Sequence, residues 1–235
     1  MPPQPYRLLT IDLDDTLWPC APVIRAAEEA LHAWLGRVAP RLTERHDIED
    51  LRRQRRALMA RRPDLAHDLS AVRREALAEQ LLAHGYPAAL ADEGLALFRA
   101  ERNRVTPYPD VLPALRALAG RVRLVSITNG NAEVAHSPLR GLFERSLTAA
   151  EAGAARPDPA LFRLALDWAG VAPGQCLHLG DDPYLDVEAA RACGLAAIWV
   201  NRTGRPWPAE LAPPLAIVAD LAALPRWFAG ETHAL

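Results

Sequence analysis

Two acidic clusters stand at the ends of short apolar runs. Asp12-Leu13-Asp14-Asp15-Thr16 closes the run Arg7-Leu8-Leu9-Thr10-Ile11. Gly180-Asp181-Asp182, with Asp186 shortly after, closes Cys176-Leu177-His178-Leu179. A run of that kind reads as a buried strand of a parallel sheet, and the carboxyl end of such a strand is where an open α/β sheet places ligands. Uncompensated carboxylates gathered there would repel one another. A divalent cation neutralises them, and a hard ion such as Mg²⁺ takes oxygen ligands together with substrate phosphate. The blander alternative is two capped loops with scattered acids.

Two further pieces lie between these clusters. Leu124-Val125-Ser126-Ile127-Thr128-Asn129-Gly130 is an apolar run that ends in a hydroxyl, an amide and a glycine. Arg156-Pro157-Asp158-Pro159 opens a helical stretch with a fixed positive charge.

These residues need a scaffold of alternating strands and helices. Residues 7–13 read as the first strand. From about 22 to 104 the apolar positions recur at helical spacing, with candidate helices Pro22–Gly36, Asp47–Arg62, His67–Gly85 and Pro87–Arg104. Pro22 and Pro87 suit a first helical turn, and Gly36 and Gly85 suit helix ends. After Pro109 the alternation resumes: helix 110–119, strand 122–128, a helix near 132–137, a weak strand at 146–148 and helix 158–169. Strand 175–179, helix 184–193, strand 196–200, a short strand 215–218 and helix 220–228 follow. Strands alternating with helices predict an α/β fold, a parallel sheet wrapped on both faces.

The chain has 235 residues, 50% of them hydrophobic and 24% charged, which suits a globular protein with one sizeable core and a smaller unit. A net charge of −2 gives no electrostatic case for nucleic acid or an anionic membrane. No run is long and apolar enough to span a bilayer, and the first residues lack the pattern of a signal peptide. Cys20, Cys176 and Cys193 are widely spaced, which points to reduced thiols and a cytoplasmic setting. All 27 basic residues are arginine. Schiff-base and Walker-type lysine chemistry are therefore excluded.

The order strand–DxDxT, strand–TNG, a basic residue before a helix, then strand–GDDxxxD resembles the haloacid dehalogenase (HAD) superfamily of phosphohydrolases along nearly the whole chain. The resemblance implies a Rossmann-like core formed by 1–18 and 106–235, with an all-helical cap domain of the first type at 19–105. It implies that Asp12 is the nucleophile, forming an aspartyl phosphate, and that Asp14 protonates the leaving group and later activates water. Haloacid dehalogenases look to lack the second carboxylate, because a halide leaves without a proton, so Asp14 points to a phosphatase. Asp12, the backbone carbonyl of Asp14 and Asp181 would hold Mg²⁺, while Asp182 and Asp186 would orient waters or Arg156. Thr128 and the amides of Asn129 and Gly130 would bind phosphoryl oxygens, helped by Arg156. Most members of the family look to have lysine at that last position. A guanidinium can still pair with phosphate.

The stretches Asp12–Trp18, Arg25–Leu31, His67-Asp68-Leu69, Ile127–Ala132 and Leu177–Asp182 are similar to one bacterial subgroup. Its members are phosphatases of FMN and of 5-amino-6-(5-phospho-D-ribitylamino)uracil. The expected partner is thus a small-molecule phosphate ester, with a sugar or nucleotide phosphate as the alternative. A 2-haloacid dehalogenase and a non-catalytic relative are the remaining readings. The arginines at 52, 53, 55, 56, 61 and 62 are expected to face solvent, and His178 to be a hydrogen-bonded core residue.

Overall fold

The computed structural model describes residues 6–231. It divides into two compact units, one made of the residues up to Pro19 together with those from Thr106 onward, the other of Cys20–Val105. The chain enters as β1 (Leu8–Ile11), whose residues are all buried. A strand covered on both faces has no reason to alternate, and this one does not.

Cys20–Val105 is helical throughout, with main helices α1 (Cys20–Val38), α2 (Ile48–Arg61), α3 (Leu69–Ala83) and α4 (Leu90–Arg102). Local chemistry sets their ends. Asp47 accepts the Asp50 N–H at 2.8 Å while the Asp50 carboxylate accepts the Asp47 N–H at 3.2 Å, a reciprocal cap for α2. Asp68 accepts from the N–H groups of Ser70 and Ala71 and caps α3. Ala27, Leu31 and Leu35 of α1 pack with Leu77 and Leu81 of α3 and with Ala91 and Phe98 of α4. At Gly94 a Cβ would lie 2.8 Å from Leu77 Cδ2, so any side chain there would make the end of Leu77 shift. Of the arginines expected to face solvent, Arg53, Arg56 and Arg61 are exposed, and Arg62 pairs at the surface with Asp64 and Glu75. Arg52 and Arg55 depart from expectation, turning inward onto the buried carboxylate of Glu28. That partner lies on α1, where helical periodicity gives no hint of it.

The other unit is a six-stranded sheet in the order β3-β2-β1-β4-β5-β6, every pair parallel. Its remaining strands are β2 (Arg123–Thr128), β3 (Arg145–Thr148), β4 (Cys176–Gly180), β5 (Ala196–Val200) and β6 (Ala216–Val218). Around it lie α5 (Val111–Leu118), α6 (Ala160–Ala169), α7 and α8 (Leu224–Phe228). Helix α7 is π-wound over Pro183–Glu188 and continues as Ala189–Ala192. Leu161, Phe162 and Ala165 of α6 pack on Val125, Ile127 and Leu147 of the sheet. The α/β class read from the sequence is the observed one.

Two elements are shorter than expected. The helix anticipated near 132–137 is only a turn at Val134–His136. The Ser137 hydroxyl donates to the Val134 carbonyl and accepts the Leu139 N–H, and Pro138 follows, so the turn cannot propagate. The last helix begins at Leu224 rather than Asp220, whose carboxylate instead accepts the Ala222 N–H at 2.9 Å. Among the described residues no helix is long and apolar enough to cross a membrane, and Cys20, Cys176 and Cys193 are free thiols.

Candidate active site

The strand order reverses direction between β1 and β4, and an open α/β sheet binds its ligands outside the carboxyl ends at such a point. The residues that leave these two ends are Asp12 and Asp181. The Asp12 N–H donates to the Leu179 carbonyl at 2.9 Å, so sheet pairing continues one residue past β1 and fixes where the carboxylate starts. After it the chain turns sharply: Asp15 adopts a φ of 60°, its N–H donates to the Trp18 carbonyl at 2.7 Å, and the Leu17 N–H donates to the Leu13 carbonyl at 2.8 Å. Aspartate is among the residues that tolerate that left-handed conformation.

Three carboxylates converge. Asp12, Asp181 and Asp186 each offer an oxygen, and these oxygens all lie within 4.8 Å of one another. The Thr16 hydroxyl sits between two of them, 3.3 Å from Asp12 Oδ2 and 3.2 Å from Asp181 Oδ1. The buried Arg156 guanidinium pairs with Asp12 Oδ1 through one nitrogen and with Asp186 Oδ1 through the other. This fork is the planar geometry that a lysine lacks. His178, fully buried in β4, places Nε2 3.1 Å from Asp186 Oδ1 and Nδ1 3.0 Å from the Thr10 hydroxyl. Burial pushes its pKa down, so the ring is neutral and Asp186 is served by a neutral Nε2–H.

Burial also acts on the acids. It raises Asp12 well above the ordinary carboxylate range, with Arg156 opposing and Asp186 and Asp181 adding to the rise. Asp181 is pushed up to about 7 by burial first and by the neighbouring charges of Asp186 and Asp15 next. Asp186 is the exception. Burial opposes its ionisation, but Arg156, His178 and the Asp182 N–H outweigh that and hold it below its usual value. A site that holds acids above their ordinary pKa in a buried space is short of positive charge. Oxygen donors alone, with one carboxylate on each strand end and a third from α7, suit a hard divalent cation such as Mg²⁺.

The other residues singled out by the sequence take varied places. Asp14 is half-buried and its Oδ1 accepts the Trp18 indole N–H at 2.9 Å; it lies outside the three-carboxylate group. The Thr128 hydroxyl accepts the Gly130 N–H at 2.9 Å, so that amide, expected to face a phosphoryl oxygen, is already engaged. The side chain of Asn129, whose backbone amide was the expected phosphoryl contact, brackets Arg156, with Oδ1 accepting the Arg156 N–H at 2.8 Å and Nδ2 donating to the Arg156 carbonyl at 3.0 Å. The carboxylate of Asp182 does not orient Arg156: it caps α7 by accepting the N–H groups of Tyr184 and Leu185, both at 2.8 Å. Its backbone N–H donates to Asp186 Oδ2 at 2.9 Å, and it is Asp186 that pairs with Arg156.

Three contributors escaped the sequence reading. Gly180 is required because a Cβ there would fall inside the Asp186 carboxyl group. Trp199 Nε1 donates to the Asp181 carbonyl at 2.6 Å. Arg202 donates to the Thr16 carbonyl at 2.9 Å and to Asp110 at 2.8 Å, fastening the turn after β1 to the start of α5. The glycine adjoins the acidic motif and was legible as a close approach. The other two were not.

A family model described as haloacid dehalogenase-like hydrolase matches residues 6–194. The chain belongs to the haloacid dehalogenase-like hydrolases. Among curated relatives of this hydrolase, the 5-amino-6-(5-phospho-D-ribitylamino)uracil phosphatase YigB of Escherichia coli is 32% identical, over 89% of this chain and 91% of the relative. The phosphoserine phosphatase of Thermus thermophilus is 34% identical, over 90% and 95%. Among solved structures, one described as a 2-haloacid dehalogenase from Pseudomonas syringae superposes with a TM-score of 0.90 at 39% identity, covering 97% of this chain and all (100%) of the other. The hydrolase is thus an enzyme whose curated relatives support hydrolysis of phosphate esters, while a similar solved structure carries a dehalogenase description.

Proposed function

We propose that this hydrolase is a Mg²⁺-dependent phosphatase of a small phosphorylated metabolite, working through an aspartyl phosphate on Asp12. The observation that carries the proposal is the convergence of Asp12, Asp181 and Asp186 within 4.8 Å, with Asp14 two residues beyond Asp12. A carbon–halogen bond is displaced by a single carboxylate, and the halide leaves unprotonated. It has no use for an anionic cluster that must be neutralised. A phosphoryl group is itself anionic and needs such neutralisation at its equatorial oxygens.

In this reading Asp12, Asp181 and the main chain at Asp14 would hold Mg²⁺, with Asp186 close by, and the ion would supply charge neutralisation for the phosphate. A carboxylate oxygen of Asp12 attacks phosphorus as the ester oxygen departs. Asp14 gives that oxygen its proton, then takes one from the water that attacks the aspartyl phosphate, releasing phosphate and restoring Asp12. Trp18 holds Asp14 in place by its indole N–H, and Arg156 steadies Asp12 from the side opposite Thr16. Thr128 and the Asn129 amide are the proposed phosphoryl contacts. Asn129 acts also by fixing the peptide of Arg156.

FMN or a ribityl phosphate of the riboflavin pathway is the finer proposal. Its support is the extent of the match to the ribitylaminouracil phosphatase and the stretches Arg25–Leu31 and His67-Asp68-Leu69 in the helical unit, which we propose acts as the cap. The dehalogenase reading has the 39% identical solved structure in its favour and Asp14 against it. Turnover of p-nitrophenyl phosphate with Mg²⁺ and in excess chelator, beside halide release from 2-chloropropionate, separates the two. The expected outcome is metal-dependent phosphate release with no halide, abolished by Asp12→Asn to the extent of about 10³-fold or more, as for other lost nucleophiles. Halide release with chelator-resistant activity would overturn the assignment.

A further inference from the structure

Thr16 is wholly buried, and it is held at both its polar groups. Its hydroxyl is shared between Asp12 Oδ2 at 3.3 Å and Asp181 Oδ1 at 3.2 Å. A hydroxyl has one hydrogen to donate, so serving two carboxylates asks for a well-placed oxygen. The Thr16 carbonyl accepts two bonds from one side chain, Arg202 Nε at 3.2 Å and Nη2 at 2.9 Å. Threonine is branched at Cβ and stiff about χ1, so a fixed backbone carries its hydroxyl to a fixed place.

Arg202 comes from the loop after β5, 186 residues further along the chain. It is anchored in turn. Nη1 donates to Asp110 Oδ1 at 2.8 Å, and the other oxygen of Asp110 accepts the Leu221 N–H at 2.8 Å. The guanidinium carbon lies over the Tyr108 ring, 4.2 Å from its centroid, and the Tyr108 N–H donates to the Leu17 carbonyl at 3.0 Å. The side chains of Arg202 and Asp110 are only 10% and 13% exposed. All three guanidinium nitrogens are engaged, which suits a clamp on the turn rather than a receptor for an anion.

The same kind of clamp occurs a second time. Arg123, at the start of β2, donates to the Glu144 carboxylate at 3.0 Å and to the Ala169 carbonyl at 2.8 Å, and lies over the Trp168 ring at 4.3 Å. It stands at the amino end of the sheet, away from the acids. Of the two carbonyls, only that of Thr16 belongs to a residue that touches the candidate nucleophile.

We propose that Arg202 is a positioning residue for phosphoryl transfer, a role that rests on the phosphatase reading: by gripping the Thr16 carbonyl it sets the Thr16 hydroxyl against Asp12 and Asp181. The planar fork is what the role needs. A lysine keeps the charge but cannot hold the carbonyl through two nitrogens while stacking on Tyr108.

The test is steady-state hydrolysis of p-nitrophenyl phosphate with Mg²⁺, with melting curves alongside and rates taken well below every melting point. Arg202→Met should lower kcat about tenfold or more, while KM and inhibition by inorganic phosphate change by less than about twofold. Arg202→Lys should stay within about threefold of Arg202→Met. Arg123→Met, which loses contacts of the same types, should lower the melting temperature and leave kcat unchanged. In a Thr16→Val background, which keeps the carbonyl and lacks the hydroxyl, Arg202→Met should cost no more than about twofold in kcat. Should Arg202→Met not fold, Arg202→Lys goes through the same cycle. An equal loss in both backgrounds overturns the proposal, and so does an Arg202 variant with unimpaired kcat. A raised KM with weakened phosphate inhibition overturns it too, since Arg202 would then hold the phosphate itself. No metal-dependent phosphate release by the wild type would instead overturn the phosphatase reading, and this role with it.

Discussion

Each carboxylate of the candidate site meets a different partner, and variants should separate the proposed roles. Asp14 is held by Trp18 and proposed as proton donor, so Asp14→Asn should slow an alkyl phosphate far more than p-nitrophenyl phosphate, whose leaving group needs little protonation. A gap of about tenfold or more between the two substrates is expected, and equal losses would remove the general-acid role. Gly180 makes a prediction of another kind. The methyl of Gly180→Ala would occupy the space of the Asp186 carboxyl group, so Asp186 must move and leave Arg156 and His178 without their shared acceptor. Breaking a buried pair in this way costs about 3–5 kcal/mol when one partner is lost outright. The variant should therefore lose both thermal stability and turnover, whereas Gly174→Ala, whose Cβ meets nothing within 4 Å, should lose neither. Paired melting curves and initial rates decide the matter.

At the scale of elements, the site is held by strand ends and one unusually wound helix. A π-turn is uncommon in helices and recurs where a side chain must be re-aimed; here it begins directly after Asp182 and carries Asp186 back toward β1. The Asp182 carboxylate serves only as its cap. Asp182→Ala should accordingly cost about 1 kcal/mol of stability, a fall of roughly 2–4 °C in melting temperature, with little change in Mg²⁺ affinity. A large loss of metal affinity without a loss of stability would show the carboxylate to be aimed at the site after all. Strands β1, β2 and β4 were legible because buried parallel strands are plain apolar runs, and the acids that end them follow at once. The partnership of Asn129 with Arg156 was not legible, since 27 residues of chain separate them and nothing in either neighbourhood signals the other. The same holds for Arg52 and Glu28, 24 residues apart: period 3.6 tells which face a residue occupies on its own helix and nothing of which helix covers that face. The failed helix near Ala132 has a local cause instead, a serine that closes its own turn ahead of Pro138.

The whole molecule responds to pH through Asp181. A carboxyl whose pKa rises on folding, from about 4 to about 7 here, is protonated in the folded protein where the unfolded chain has already lost that proton. Metal-free protein should therefore lose stability as pH rises through this window, keeping the contribution of the protonated form only at its acid end. A cation bound at Asp181 reverses the preference, because above about pH 7 it displaces no proton. The melting temperature gained from millimolar Mg²⁺ should be several degrees at pH 8 and close to nothing at pH 5.5, and a gain independent of pH would show that the ion binds away from Asp181.

The sheet order has a consequence for synthesis. Strand β1 is made before both of its neighbours, β2 and β4, so its second edge is completed only by residues 176–179. At ribosomal rates of about 5–20 residues per second, roughly 10–35 s pass between the emergence of residue 12 and that of residue 186. During that interval Leu8, Leu9 and Ile11 have no permanent place, while the helices between Cys20 and Val105 already have all the partners of their own apolar cluster. The helical insertion is thus positioned to fold first on the nascent chain. The strand that delivers Asp12 must wait in solvent or on a chaperone, and ribosome-arrested chains cut short before β4 should be the forms most dependent on such help.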